Sequence, residues 1–133
     1  MAQGSIARRP VGQQVAYLRK RVFGAVAQGG GNGTYTIGWL PAGANVLRVI
    51  GNARTVFSGG TPAGTIGSRA SPANLVATAA TLLTTAGFAT QGLAAGAGPV
   101  VDVDTEIVIV ISGTPTAGVS DITVEYTVPD ETP

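Results

Sequence analysis

One stretch of this 133-residue chain has metal-ligand character: Asp102-Val-Asp-Thr-Glu106. On an extended backbone a period of two places Asp102, Asp104 and Glu106 on one face, and carboxylates suit Ca²⁺. The spacing is not that of an EF-hand loop, which needs Gly at its sixth position and Glu at its twelfth. A solvated acidic edge that discourages strand pairing accounts for the same residues, as does a set of partners for arginines across an interface. These readings are favoured over a metal site, and no cofactor is expected. The second constellation is basic, Arg19-Lys20-Arg21, with Arg8-Arg9 upstream. Nucleic acid is one partner for such residues. No wider basic cluster surrounds them, so nucleic acid is not expected.

Catalytic chemistry finds little to work with. The chain has no His, no Cys and one Lys, so the commonest general base and nucleophile pairings are absent. Serines sit beside Gly or Pro in turns, and none has a Gly-x-Ser-x-Gly context. A paired-carboxylate hydrolase needs two acids in a cleft, whereas most acids here alternate outward on strands. The glycine run Gly29-Gly-Gly-Asn-Gly33 lacks the Gly-Lys and the following helix of a phosphate-binding loop. The chain reads as a non-enzyme.

The elements that must position these residues follow from composition. Gly (20) and Pro (8) make about a fifth of the chain, against an ordinary ~12%. Only 11% is charged, yet 44% is apolar and rich in Val, Ile and Thr, so lack of hydrophobicity does not make it disordered. That combination predicts a turn-rich all-β domain, long enough to bury a core without staples. A surface so poor in charge is expected to be covered by partners. Charge is also segregated. All eight basic residues precede residue 70 and all seven acids follow residue 101, so pairing is expected within one subunit or between neighbours. No segment reaches the ~20 apolar residues of a bilayer span, and the N-terminus lacks a signal-peptide h-region.

Residues 1–13, polar and aperiodic, read as an extended N-terminal arm on a single β domain of residues 14–133. Val15–Val26 reads as a strand, on which Tyr17, Arg19 and Arg21 share a face. Thr34–Ile50 reads as strand, turn, strand. Pro41 fixes φ, Gly43 is free to take φ > 0, and Tyr35, Ile37 and Trp39 face inward. Trp39 is expected to be the largest core anchor. Gly51 marks a bulge or a close backbone approach. Ser71-Pro72 predicts a helix start, with Leu75, Val76, Ala79, Leu82 and Leu83 on one face and Gly87 beyond the end. Phe88–Pro99 reads as a connection. Ile107–Ile111, apolar on both faces, reads as a strand buried between layers. Val119–Val128 alternates, with Ile122, Val124, Tyr126 and Val128 inward. Seven or eight strands and one short helix predict an antiparallel β-sandwich, jelly-roll-like in form.

Ile37-Gly-Trp-Leu-Pro-Ala-Gly-Ala-Asn-Val-Leu-Arg-Val49 resembles a hairpin of small structural proteins of tailed bacteriophages. Val56-Phe57, Thr65-Ile-Gly-Ser68, Val103-Asp-Thr105 and the closing hairpin from Ser112 to Tyr126 extend the resemblance over roughly residues 15–128. The family is similar to capsid decoration (cement) and head-associated proteins with a sandwich or jelly-roll fold. The resemblance implies a homotrimer on the outer surface of the virion capsid, made in the host cytoplasm, with the major capsid protein as partner. The capsid-binding candidates are then Arg8, Arg9, Arg19, Lys20 and Arg21. A phage tail or head-fibre component is the alternative within the class. A carbohydrate-binding host-recognition module is the alternative outside it, disfavoured because most of the few aromatics are expected in the core.

Overall fold

The computed structural model describes residues 15–93 and 103–128. In chain order they form β1 (Val15–Phe23), β2 (Gly33–Leu40), β3 (Asn45–Ser58), β4 (Ala63–Ser68), α1 (Ala80–Thr84), β5 (Gly87–Gln91), β6 (Thr105–Ser112) and β7 (Ala117–Thr127), with a 3-10 turn at Val26–Gln28. Two antiparallel sheets face each other. The first has the order β1-β7-β3-β5 and the second β2-β6-β4. The expected all-β sandwich is therefore what this chain forms.

Odd-numbered strands lie in the first sheet and even-numbered strands in the second, so no strand pairs with its neighbour in sequence. The chain instead pairs as one long hairpin rolled up on itself. β1 lies against β7, β2 against β6 and β3 against β5, while the β3–β7 and β4–β6 contacts complete the sheets. That pairing is jelly-roll-like, with seven strands where the full form has eight. It corrects the reading of Thr34–Ile50 and Ser112–Tyr126 as hairpins. Each of those turns carries the chain from one sheet across to the other, a spacing of ~10 Å between facing sheets.

Side chains from both sheets fill the space between. β6 contributes Ile107, Ile109 and Ile111, β7 contributes Ile122 and Val124, β3 Val49, β4 Ile66 and β2 Leu40, all essentially without solvent contact. Val108 is equally buried but lies outside this cluster. The expectation of a strand apolar on both faces holds. Tyr35 and Tyr126 pack partly buried against the core, and the Tyr35 hydroxyl donates to the Gly31 carbonyl at 2.8 Å.

Trp39 is not the core anchor. It is 59% exposed, and Leu40 beside it is buried. The cause is a bulge: Thr36 pairs with Val108 and Gly38 with Ile107, which leaves Ile37 unpaired. An extra residue resets the alternation, turning Gly38 and Leu40 inward and Trp39 outward. The following turn is as expected. Gly43 has φ +84°, and the Ala44 N–H donates to the Pro41 carbonyl at 3.1 Å.

The helix predicted from Ser71 is confined to Ala80–Thr84, although Leu75, Val76, Ala79, Leu82 and Leu83 are all buried. Backbone groups of the preceding stretch are used by β4. The Leu75 and Val76 N–H groups donate to the Ile66 carbonyl, Val76 accepts from Ile66, and the Ala79 N–H donates to Gly64 at 2.7 Å. Residues 75–79 thus run where an eighth strand would stand, and hydrogen bonds to an open sheet edge displace those of a helix. Helix α1 then lies against β3 at Gly51, where a Cβ would come within 2.7 Å of the Leu82 Cβ. Gly51 is therefore a close approach. Buried Ser120 donates to the Leu82 carbonyl at 2.8 Å and ties the helix to β7. Gly87–Gln91, which begins at the expected end of the helix and runs into the expected connection Phe88–Pro99, is strand β5 on the edge of the first sheet.

Two neighbouring substitutions separate the faces of β2. Leu40→Ala removes buried core volume and is expected to cost about 2–5 kcal/mol. Trp39→Ala, on the outer face, is expected to cost less than about 1 kcal/mol. Urea denaturation of both variants measures the contrast.

Candidate functional site

The outer face of the first sheet carries most of the chain's described charge. Register aligns Tyr17 of β1, Glu125 of β7 and Arg48 of β3 in one row across the strands. Arg19, Thr123, Ile50 and Thr90 make the next row, and Arg21, Asp121, Asn52 and Phe88 the third. Asp121 and Glu125, expected to point outward, do so but are covered, with only 6% and 9% exposure.

Arginines cover them. Arg21 donates from Nε to Asp121 Oδ1 at 2.7 Å and from Nη2 to Oδ2 at 3.3 Å, and Arg54 Nε donates to Oδ2 at 3.1 Å. Arg48 makes the same two-pronged contact with Glu125. Paired N–H donors fit the two carboxylate oxygens, which is why arginine suits such sites. The Arg21 hydrogen bond holds the Asp121 carboxyl below its usual range, against the opposing effect of burial and with further help from Arg54. All three guanidinium groups remain about half exposed, so these pairs are bridges between the protein and water. The segregation of charge along the sequence thus resolves into ion pairs within one subunit.

A fourth pair decorates the other sheet. Arg69 donates to Glu106 from Nε at 2.8 Å and Nη2 at 2.9 Å, and the Thr36 hydroxyl donates to Glu106 Oε2. The Arg69 hydrogen bonds, followed by that from Thr36, bring the Glu106 carboxyl down from 4.5 to about 2.

Of the metal candidates, Asp102 lies outside the described residues. Asp104 Oδ1 accepts the Ala42 N–H at 3.0 Å and so fixes the turn between β2 and β3. Glu106 is occupied by Arg69 and Thr36. No group of three or more His, Cys, Asp or Glu side chains comes together among the described residues. Of the basic candidates, Arg8 and Arg9, with the rest of residues 1–14, also lie outside. The structure divides the other three. Arg21 is engaged with Asp121, whereas Arg19 has no ion-pair partner among the described residues. Lys20 has the parity of Leu18 and Val22, the inward residues of β1, and reaches solvent at the edge of the sandwich.

Sequence reasoning missed two residues of this face. Tyr17 is 57% exposed and Phe88 79% exposed. With Arg19, Ile50, Thr123 and Glu125 they line a shallow depression of about 360 Å³. The signal for Tyr17 was present in its shared face with Arg19 and Arg21. Phe88 had none, because Gly87–Gln91 shows no strand pattern of its own. The expectation that most aromatics are buried does not hold. They are nevertheless split, since Trp39 lies on the other sheet from Tyr17 and Phe88.

Among the described residues the site is thus a shallow, arginine-lined sheet face with two exposed aromatics, and none of their carboxylates share a cleft. It belongs to a rolled, two-sheet β architecture. No family model matches the chain, and no curated protein matches it. Solved structures do. The chain is similar to a chain of the cyanophage Pam1 capsid asymmetric unit, with 19% identity, a TM-score of 0.66 and coverage of 96% of this chain and 98% of that one. It is similar to a chain of the acid-stable capsid of Helicobacter pylori bacteriophage KHP30, with 15% identity, a TM-score of 0.67 and coverage of 90% and 91%. A chain of the capsid of Ralstonia phage GP4 gives 16% identity, a TM-score of 0.62 and coverage of 96% and 94%. What these chains share with this one is the fold.

The Glu106 site makes a pH prediction. An acid whose folded-state pKa is depressed stabilises the fold fully above its unfolded value and loses that contribution as pH falls toward the folded one. For Glu106 the window runs from 4.5 down to about 2. Thermal melting followed across that window is expected to fall more steeply for the wild type than for Glu106→Gln.

Proposed function

We propose that this chain is a viral structural protein, a capsid decoration or cement protein that docks as an oligomer on the outer surface of a phage head. One observation carries the reading: three chains from phage capsids share this fold over at least 90% of both lengths. Coverage of 98% of the cyanophage chain makes that chain about the same size as this one. A capsid can therefore contain a small all-β chain of this kind as a subunit in its own right. Absence of His and Cys from the sequence, and engagement of every described carboxylate by a protein partner, favour binding over turnover.

A cement protein works by mass action. Bound to the assembled lattice and not to free subunits, it stabilises the lattice by its binding free energy. A trimer engaging several lattice positions turns a modest affinity per site into a firm hold. The partner in this reading is the major capsid protein. Residues 1–13, with Arg8 and Arg9, form a docking arm, and Arg19, Lys20 and Arg21 lie on the strand that follows it. A tail or head-fibre component is the second reading, since the fold alone does not distinguish positions in a particle.

Co-sedimentation of the purified chain with shells that lack it is expected to give saturable binding, and bound shells are expected to survive heating longer than bare ones. Electron microscopy separates the two positions by copy number, with hundreds on a head or a handful on a tail. A chain lacking residues 1–13 is expected to lose most shell binding while its β-rich circular dichroism is retained. Unchanged binding after that truncation removes the arm from the reading.

A further inference from the structure

Within the capsid reading, we propose that the outer face of the four-stranded sheet is the surface that meets the shell, and that it takes an acidic patch presenting an apolar side chain. The inference rests on the decoration reading above, and three observations carry it.

The first is charge. Arg19, Arg21, Arg48 and Arg54 stand on this face with only Asp121 and Glu125 to balance them, which leaves it at +2. The remaining described charges, Lys20 and Arg69 against Asp104 and Glu106, cancel. All the net charge of the described residues is therefore concentrated on one sheet face. Three of its arginines keep half-exposed guanidinium groups with donors to spare, and Arg19 has no ion-pair partner among the described residues.

Shape is the second. Tyr17 and Phe88 flank the depression over Ile50 and Thr123 from opposite edge strands, β1 and β5. They stand three strand spacings apart across the sheet, about 14 Å, so the depression between them is broad enough to admit an apolar side chain. Aromatic residues beside arginine, around a small apolar floor, have the composition of an interface hot spot.

The third is the arrangement of the existing ion pairs. Asp121 and Glu125 hold the guanidinium groups of Arg21, Arg48 and Arg54 in place. Their donors are thus ordered before a partner arrives, which lowers the entropy lost on binding. An acidic partner meets a rigid set of donors, and the pairs beneath need not break.

Shell co-sedimentation with outer-face variants tests this. Arg19→Glu and Phe88→Ala are each expected to weaken binding about tenfold, because exposed aromatic and arginine side chains lining a pocket carry much of an interface's binding energy. Wild-type binding is expected to weaken as salt rises. Trp39→Ala, an exposed aromatic on the opposite sheet, is expected to change affinity less than about twofold. If the wild type binds and the Arg19 and Phe88 variants bind equally well, the shell-facing surface lies elsewhere and the inference fails while the decoration reading stands. If Phe88→Ala instead converts an oligomer to a monomer in sedimentation velocity, the face is a contact between copies and the inference is overturned. If the wild type ignores the shells, the decoration reading falls and takes this partner with it.

Discussion

Strict alternation of strands between the two sheets is the constraint on which the rest of this molecule depends. Every loop crosses the sandwich, so no sheet can form from one stretch of chain. β7 must reach back to β1 across a register in which Arg21 meets Asp121, 100 residues away, before the first sheet gains its β1 edge. Closing such contacts costs chain entropy before any burial repays it, and folds built this way fold slowly for their size. What repays it is the core shared by both sheets. Ile107, Ile109 and Ile111 of β6 face Ile122 and Val124 of β7, and neither strand is stable without the other layer. Stability and topology are therefore one property here.

Charge follows the same geometry. Basic residues lie early in the sequence and acids late because β1 and β3 flank β7 in space. Asp121 is shared by arginines from both neighbours, Arg21 on β1 and Arg54 on β3, and Glu125 is held by Arg48 on β3. The ion pairs thus stitch the central strand of the first sheet to those on either side. Isolated surface pairs contribute little to stability. These have nearly buried carboxylates, so loss of an arginine would leave a poorly solvated charge, and the pairs also help fix strand register.

Much of this was legible in the sequence, and the failures share a cause. Strands with a strong pattern of their own were readable: alternation in Val119–Val128, the β-rich run at Ile107–Ile111, and the turn at Pro41–Gly43. Features decided by a partner strand were not. Whether Ile37 bulges depends on β6, and that one residue moved Trp39 from the core to the surface. Leu75–Ala79 has a helical pattern and buries the predicted side chains, yet its backbone is claimed by the edge of β4. Gly87–Gln91 has no strand pattern and is a strand because β3 offers it an edge. Of the candidate site, the arginines of β1 were visible, and so was the parity that places Tyr17 beside them. Asp121 and Glu125 read as ordinary outward positions, because nothing in one strand says that a neighbour will cover them.

A domain with so little charge must also avoid pairing its sheet edges indiscriminately, and each edge is treated differently. β1 carries Lys20 on its inward parity between Leu18 and Val22, a charge that a strand docking at that edge would have to accommodate. β2 lies against β1 across the sandwich, where Leu18 fills the space left by Gly38, so any Cβ at Gly38 would collide with it at 2.9 Å. β4 has its outer edge taken by residues 75–79. β5 is the exception: five residues, no charge and Phe88 projecting from its outer face. Brevity limits what it can pair with, since five residues offer few ladder hydrogen bonds. Two of the other three edges are protected by the fold's own contacts and the third by a single lysine, so few surface charges are required. That leaves the arginines free to be gathered on one face, which is how a chain with 11% charged residues can still present a distinctly basic surface.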